Sequence, residues 1–340
     1  MGTEKTNCSL MAKEMLIVAL VFLCCEIAAA SAPCDDKELA KALAYGADAT
    51  INVFVHDEQN HPVTGACVRC GFWLQTANLS PAVYGKTDNT GHFVAKAKCN
   101  DDVTIVVKCD GYYGTTVRKV MTKITTDPKV INGRWHPYGI EIPVEMRKIV
   151  NPVSLEHHFN TREIEIPATN QWFGFDLKKD SLVKPFGDGE QSDFEFKFDW
   201  NGGIRGSYNG SAFSVRFNEK FAGGYWSPLV SNSAFRAAMS ADVTAKYNNE
   251  FAFFTRKDGG RWEESLFGSG RTLIVRSRCQ IDEDGSLKSA IYSQIYSLAF
   301  GWGSKGHGWF TISYDLNPYL NDSNLEADWV EKSMKKMKKW

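Results

Sequence analysis

The chain has 340 residues, 43% of them hydrophobic and 23% charged, an ordinary globular composition on a length that exceeds one compact core. Its 39 basic and 40 acidic side chains nearly cancel, which excludes an electrostatic wrap around nucleic acid. An aromatic fraction of 13%, with 10 Trp and 21 Phe, favours β-rich architecture.

At the N-terminus, Leu16 to Cys25 form an apolar run behind Lys13, followed by small residues from Ala28 to Ala32. That pattern predicts a secretory signal peptide over 1–32, too short to span a bilayer, and a secreted or periplasmic mature protein. Met11 makes a tidier start than Met1, and cleavage is expected after Ala30 or Ala32. Phe22 and Leu23 are too bulky to favour a lipoprotein reading through Cys24 or Cys25. Within a leader over 33–48, Asp35 to Ala44 predict a short helix, with acids at its start and Leu39 and Leu43 four apart.

From 49 to 150 strand signals follow closely. Val53 and Val55 alternate, Asp57 to Pro62 turn the chain, and Asp88 and Gly91 make a tight turn before Phe93. Tyr138, Ile140, Ile142, Val144 and Met146 alternate as the last strand before the break at Asn151-Pro152. The phrases Val55-His-Asp57, Pro62-Val63, Gly65-Ala-Cys-Val68, Thr87-Asp-Asn-Thr-Gly-His-Phe93, Val103 to Val107 and Asp110-Gly-Tyr-Tyr113 carry a resemblance. Their spacing resembles the carboxypeptidase regulatory-like family, which implies a small transthyretin-like β-sandwich that accompanies another domain. The chain departs from that pattern at Asn60, where the family commonly has glycine, and at Cys67 and Cys70.

Six cysteines follow the signal segment: Cys34, Cys67, Cys70, Cys99, Cys109 and Cys279. For an exported chain an even count predicts disulfides, and Cys67, Cys70, Cys99 and Cys109 are the candidates, as a disulfide or as buried thiols inside the first sandwich. A redox pair ranks next. Zinc ranks last, because Cys67 and Cys70 point to opposite faces of a strand and no second Cys-x-x-Cys follows, so no metal and no cofactor is expected.

The second region, 155–327, is also strand-dominated. Phe194, Phe196, Phe198 and Trp200 alternate with charged residues. Leu273, Val275, Cys279 and Ile281 are expected on one face, and Asp282 to Gly285 turn the chain into a hairpin with Leu287 to Leu298. Trp309 to Leu316 form a further strand, and Ser233 to Ala245 read as a helix. Asn151-Pro-Val-Ser-Leu155, Gly174-Phe-Asp-Leu177, Pro185-Phe-Gly187, Ser289-Ala-Ile-Tyr292 and Tyr314-Asp-Leu-Asn-Pro318 resemble a group of uncharacterised secreted bacterial proteins, which implies no activity. The fold class expected is all-β, two β-sandwich-like domains in tandem.

Catalytic motifs are harder to find. His157-His158 lie beside Glu156 without a His-Glu-x-x-His frame, and a surface role is the plainer reading. Gly206-Ser-Tyr-Asn-Gly210 and Gly268-Ser-Gly270 are not nucleophile elbows, and Asp282 to Gly285 lack the offsets of a calcium loop. Gly301 to Trp309 stand out as a glycine-rich loop holding Trp302, His307 and Trp309. They form either a ligand platform, with sugar the usual partner of exposed rings, or a hairpin packing its tryptophans onto the sandwich. The basic tail, 328–340, sets Val330, Met334 and Met337 at helical spacing among lysines, a pattern that can lie on anionic lipid. The expectation is an exported, non-enzymatic binding or structural protein of the cell envelope, with glycans or envelope proteins as partners. The alternative is a carbohydrate-active hydrolase with acidic residues in the second domain.

Overall fold

The computed structural model describes residues 36–336 apart from 76–79, 160–161, 203–207, 231, 259–260, 269 and 304–306. The predicted signal segment, Cys34, Ser207, Ser269 and Met337 therefore lie outside the described residues. Helix α1 (Asp36–Tyr45) opens the described chain, with Ala42 buried and Leu43 exposed. The strands that follow are β1 (Ala47–Asp57), β2 (Cys67–Phe72), β3 (Ala82–Lys86), β4 (His92–Cys99), β5 (Asp102–Lys108), β6 (Thr115–Val120), β7 (Lys129–Ile131), β8 (Arg134–His136) and β9 (Ile140–Met146). They form two sheets, one in the order β4-β1-β8-β7 with β9 also on β1, the other in the order β3-β2-β5-β6. Alternation buries Ile51, Val53, Val68, Cys70, Phe72, Val103 and Ile105, as the strand signals predict.

The later strands are β10 (Glu156–Phe159), β11 (Ile164–Ile166), β12 (Trp172–Asp176), β13 (Ser181–Leu182), β14 (Phe194–Gly202), β15 (Tyr208–Arg216), β16 (Gly223–Pro228), β17 (Glu250–Asp258), β18 (Arg261–Ser265), β19 (Arg271–Ile281), β20 (Leu287–Trp302) and β21 (Gly308–Leu316), before helix α2 (Asp328–Lys336). Two six-stranded sheets result, β10-β21-β20-β19-β16 with β11 on β21, and β13-β12-β14-β15-β17-β18. Their inner faces meet in a phenylalanine-rich core. Phe310 of the first sheet packs on Phe175, Phe196 and Phe213 of the second, with ring centroids 5.7, 4.7 and 5.5 Å away. The fold is all-β and sandwich-like.

Contacts divide the chain into two compact units. The first comprises the chain up to Phe54, Cys67–Ile105 and Val117–Pro143; the second takes Val55–Ala66, Val106–Thr116 and everything from Val144. Two buried groups show why the short segments join the later chain. Tyr113 stacks on Phe235 at 5.1 Å and donates its hydroxyl to Glu326 at 2.9 Å. Buried Arg147 donates to Glu58 and to the carbonyls of Phe235 and Ala237.

Three expectations need correction. Ser233 to Ala245 form no helix: Ala234 N–H bonds Gly114 O and Ala241 N–H bonds Ser323 O, so the backbone spends its donors on neighbouring segments. Phe235 and Ala241 are thereby buried in two different clusters. Strand β19 does not keep one face, because Arg278 adopts φ 51° and the register with β20 shifts between Ser277 and Gln280. Ile281 is left exposed. No candidate disulfide is seen among the described residues: Cys67, Cys70 and Cys99 are free thiols, and Cys70 and Cys99 are buried, as the alternative reading has it. Cys67 is exposed on one face of β2 and Cys70 buried on the other, the geometry that strand alternation imposes.

The Arg278 bulge has a purpose. Its Nε and Nη2 donate to Asp193 at 2.9 Å each, and Nη2 also reaches Asp176 at 2.6 Å. Ser277 Oγ and Leu177 N–H complete Asp193, while the amides of Lys178, Lys179, Glu190 and Gln191 fill Asp176. Burial would raise the Asp176 carboxyl, but those amides and Arg278 outweigh it and hold it below its ordinary 3.8. Hydrogen bonding to Asp193 raises the Arg278 guanidinium above its ordinary value.

Arg278→Ala, which strands two buried carboxylates, is expected to cost ~3–5 kcal/mol in urea unfolding. An Asp176 that protonates more readily unfolded than folded stabilises the protein above pH 3.8, and that stability is lost as the pH falls through the lowered folded value. A stability curve flat from pH 5 to pH 2 () at about the neutral value would contradict this. Burial pushes the Cys70 and Cys99 thiols up to about 12. A thiol reagent should therefore label exposed Cys67 in the folded protein and reach Cys70 and Cys99 only on unfolding; peptide mapping of the labelled protein distinguishes them.

Candidate functional site

The hairpin of β20 and β21 carries the three residues singled out from sequence. Its register pairs Gly301 with Trp309 and Trp302 with Gly308. Neighbouring pairs on a ladder face opposite ways, so the two tryptophans cannot share a platform. Trp302 turns inward, where its ring stacks on Trp200 at 5.0 Å and 9° and lies 6.4 Å from Phe198. The packing role holds for Trp302.

Trp309 turns outward. A methyl group on Gly301 would fall 2.9 Å from its Cζ2 and 3.1 Å from its Cε2, so the indole lies on glycine backbone. Gly303 continues this floor, 3.5 Å from Trp309 Cδ1 by the same measure. His307 stands at the rim with Nδ1 3.8 Å from the exposed Glu165 carboxylate, and Glu165 is itself Trp309's ladder partner on β11. Gly301 puts no side chain between the ring and the sheet.

The same outer face extends along the strands. Ser297 pairs with Ser313 and Ala299 with Thr311, and Ser297 and Ala299 are exposed. Across β21, Phe159 pairs with Ser313 and is 72% exposed. Ser313 and Trp309 are four residues apart, about 13 Å along a strand. The result is a row of small residues, exposed at Ser297 and Ala299, half-buried at Thr311 and buried at Ser313, with Trp309 at one end and Phe159 beside the other. Phe159 was missed in the sequence because a lone phenylalanine after His157-His158 shows exposure only once its ladder partner is known.

The histidine pair is split by alternation. His157 points outward, its Nδ1 2.5 Å from buried Asp315, which also accepts from Trp329 Nε1 at 3.1 Å and from the Tyr296 hydroxyl. Burial and then the Asp315 charge push the Tyr296 phenol well above its ordinary value. Chemically this is an oriented Asp–His pair, and its partners tie α2 to the sheet. His158 points inward, stacked on Tyr314 at 4.7 Å. Asp176 and Asp193 converge, but both are buried and share Arg278, so they form no acid–base pair open to substrate. Among the described residues no group of three or more His, Cys, Asp or Glu side chains is placed to hold a metal ion. In α2, Val330 is buried and Met334 packs with the cluster around Tyr113 and Phe235, so these two residues of the stripe that can lie on lipid are engaged within the second unit.

No family model matches the chain. No curated protein matches it either. Among solved structures it is similar to 3-chlorocatechol 1,2-dioxygenase from Rhodococcus opacus 1CP, with 9% identity over 31% of this chain and 62% of that one, at a TM-score of 0.25. A second is catechol 1,2-dioxygenase from Pseudomonas arvilla C-1, with 10% identity, coverage of 32% and 54%, and a TM-score of 0.24. The chain thus spans less than two thirds of either enzyme.

Trp302→Ala is expected to lower stability by ~3 kcal/mol, the range for truncating a packed aromatic, and Trp309→Ala by under ~1 kcal/mol. Equal losses in chemical denaturation would contradict the opposite facing of the two rings.

Proposed function

We propose that this chain is an exported, non-enzymatic binding protein of the cell envelope, and that the Trp309–Phe159 shelf is its glycan-binding face. The observation that carries this reading is the Trp309 indole lying on Gly301 at the edge of a row of small residues. A sugar ring offers C–H groups to such a face and hydroxyls to its rim, and a flat indole matches the first without a conformational cost. His307, Glu165, Ser297 and Thr311 supply donors and acceptors around it. Export is supported by the apolar run and small residues ahead of Pro33. The regulatory-like phrases, which fall in both units, support a module that stiffens the protein rather than reacting with anything.

Affinity electrophoresis of the mature chain in gels carrying soluble polysaccharides, followed by glycan-array profiling, tests this. A retarding polysaccharide is expected, with Trp309→Ala weakening it about 30-fold, as for a residue worth ~2 kcal/mol at a binding centre. Phe159→Ala should weaken long chains more than short ones, since it contacts the far end. Retardation unchanged by Trp309→Ala, or no polysaccharide bound at all, would sink the reading.

A further inference from the structure

The first unit carries a separate feature that the shelf does not use. A half-open groove of about 350 Å³ runs beside β6 and β9. Val120, Ile124, Ile140 and Ile142 make its apolar lining, while Arg118, Lys119 and Lys123 stand along it against the single acid Glu141. Arg118 is paired with Asp102, which leaves Lys119 and Lys123 as its surplus charge.

The strand beside this groove ends its sheet. In the order β3-β2-β5-β6, β6 is terminal. A terminal strand presents unpaired amides and carbonyls and is a template for an added strand. At its beginning β6 already takes such an addition: Thr116 N–H donates to Asn232 O and Ala234 N–H to Gly114 O, both at 2.8 Å, an antiparallel bridge of Thr115 with Ser233. Alternate residues of a strand direct their amides to the same side, so Arg118 and Val120 continue the row that Thr116 starts. Strand β9 is different, because Pro143 removes a donor from its ladder. Pairing therefore belongs to β6.

We infer that the β6 edge between Arg118 and Val120 is a docking site for an extended, acidic peptide segment of a partner protein. Such a segment adds as an antiparallel strand, with one row of side chains over Val120, Ile124 and Ile140 and carboxylates toward Lys119 and Lys123. Main-chain bonds give the affinity, and charge selects the partner.

The probe is a nine-residue peptide alternating Val with Glu, with a Val–Lys peptide as its control, each added to the full mature chain. The acidic peptide is expected to saturate, the basic one not to, and hydrogen exchange to slow at the Arg118 and Val120 amides. Lys119→Glu with Lys123→Glu, both on the surface, should weaken the acidic peptide at least tenfold and invert the preference. Val120→Pro, which deletes an amide but no charge, should weaken it independently. Equal binding of both peptides, no binding of either, or binding without protection at Arg118 and Val120 overturns the inference. So does anionic-vesicle binding that is lost in the double variant while the peptide remains unbound, since lipid headgroups would then be what the lysines meet.

Discussion

The sandwich of the second unit depends on one guanidinium. Arg278 sits on β19 of one sheet, and its two carboxylate partners end β12 and immediately precede β14 of the other. Placing a non-glycine residue at φ 51° costs about 1–2 kcal/mol, and burying three charges costs more. The arrangement persists because both carboxylates are richly hydrogen-bonded: Asp193 receives four hydrogen bonds and Asp176 five. A network this complete contributes little net stability over an apolar substitute but fixes one alignment of the two sheets. It also explains why β19 bulges. Without the extra residue Arg278 would face away from both acids.

That alignment determines where the surface is open. The inner faces are filled largely by phenylalanines, so the proposed binding has to use an outer face. On the β19–β20–β21 sheet, the irregular segment around Ala241 and the run before α2 cover Ile274, Tyr292 and Ala290. Trp329 then reaches Asp315. The cover stops before Ser297. From there to Gly301 the outer row of β20 is exposed or half exposed, and Trp309 and Phe159 flank it. The proposed binding face is therefore the part of the sheet that the covering chain does not reach.

Much of this was legible in the sequence. Strand alternation located Phe194 to Trp200 and Ile140 to Met146, and Asp282 to Gly285 form the expected turn, with Gly285 at φ 84° and Ser286 bonding both aspartates. Elements were readable because each depends on neighbours in the chain. The failures all concern partners distant in sequence. Helical spacing over 233–245 gave no sign that Phe235 belongs under Tyr113, more than a hundred residues earlier. The β19 bulge answers to acids on another sheet. Cysteine count argued for bonds, whereas the register places Cys67 outside and Cys70 inside.

The tryptophan pair shows most clearly what register adds to a motif. As a string, Gly301-Trp302 and Gly308-Trp309 read as one aromatic loop. Paired across the hairpin, they become two reciprocal Gly–Trp pairs, Trp302 opposite Gly308 and Trp309 opposite Gly301. Each glycine is a seat for a ring. A methyl on Gly308 would fall 2.7 Å from Phe198, on the side where Trp302 stacks, and one on Gly301 would strike Trp309 on the other. A shift of a single residue in the turn would exchange the faces of both rings, leaving the core short of an indole and the shelf with the wrong one. The glycines thus do more than loosen a loop: they let one hairpin send one indole into the core and lay another on the surface.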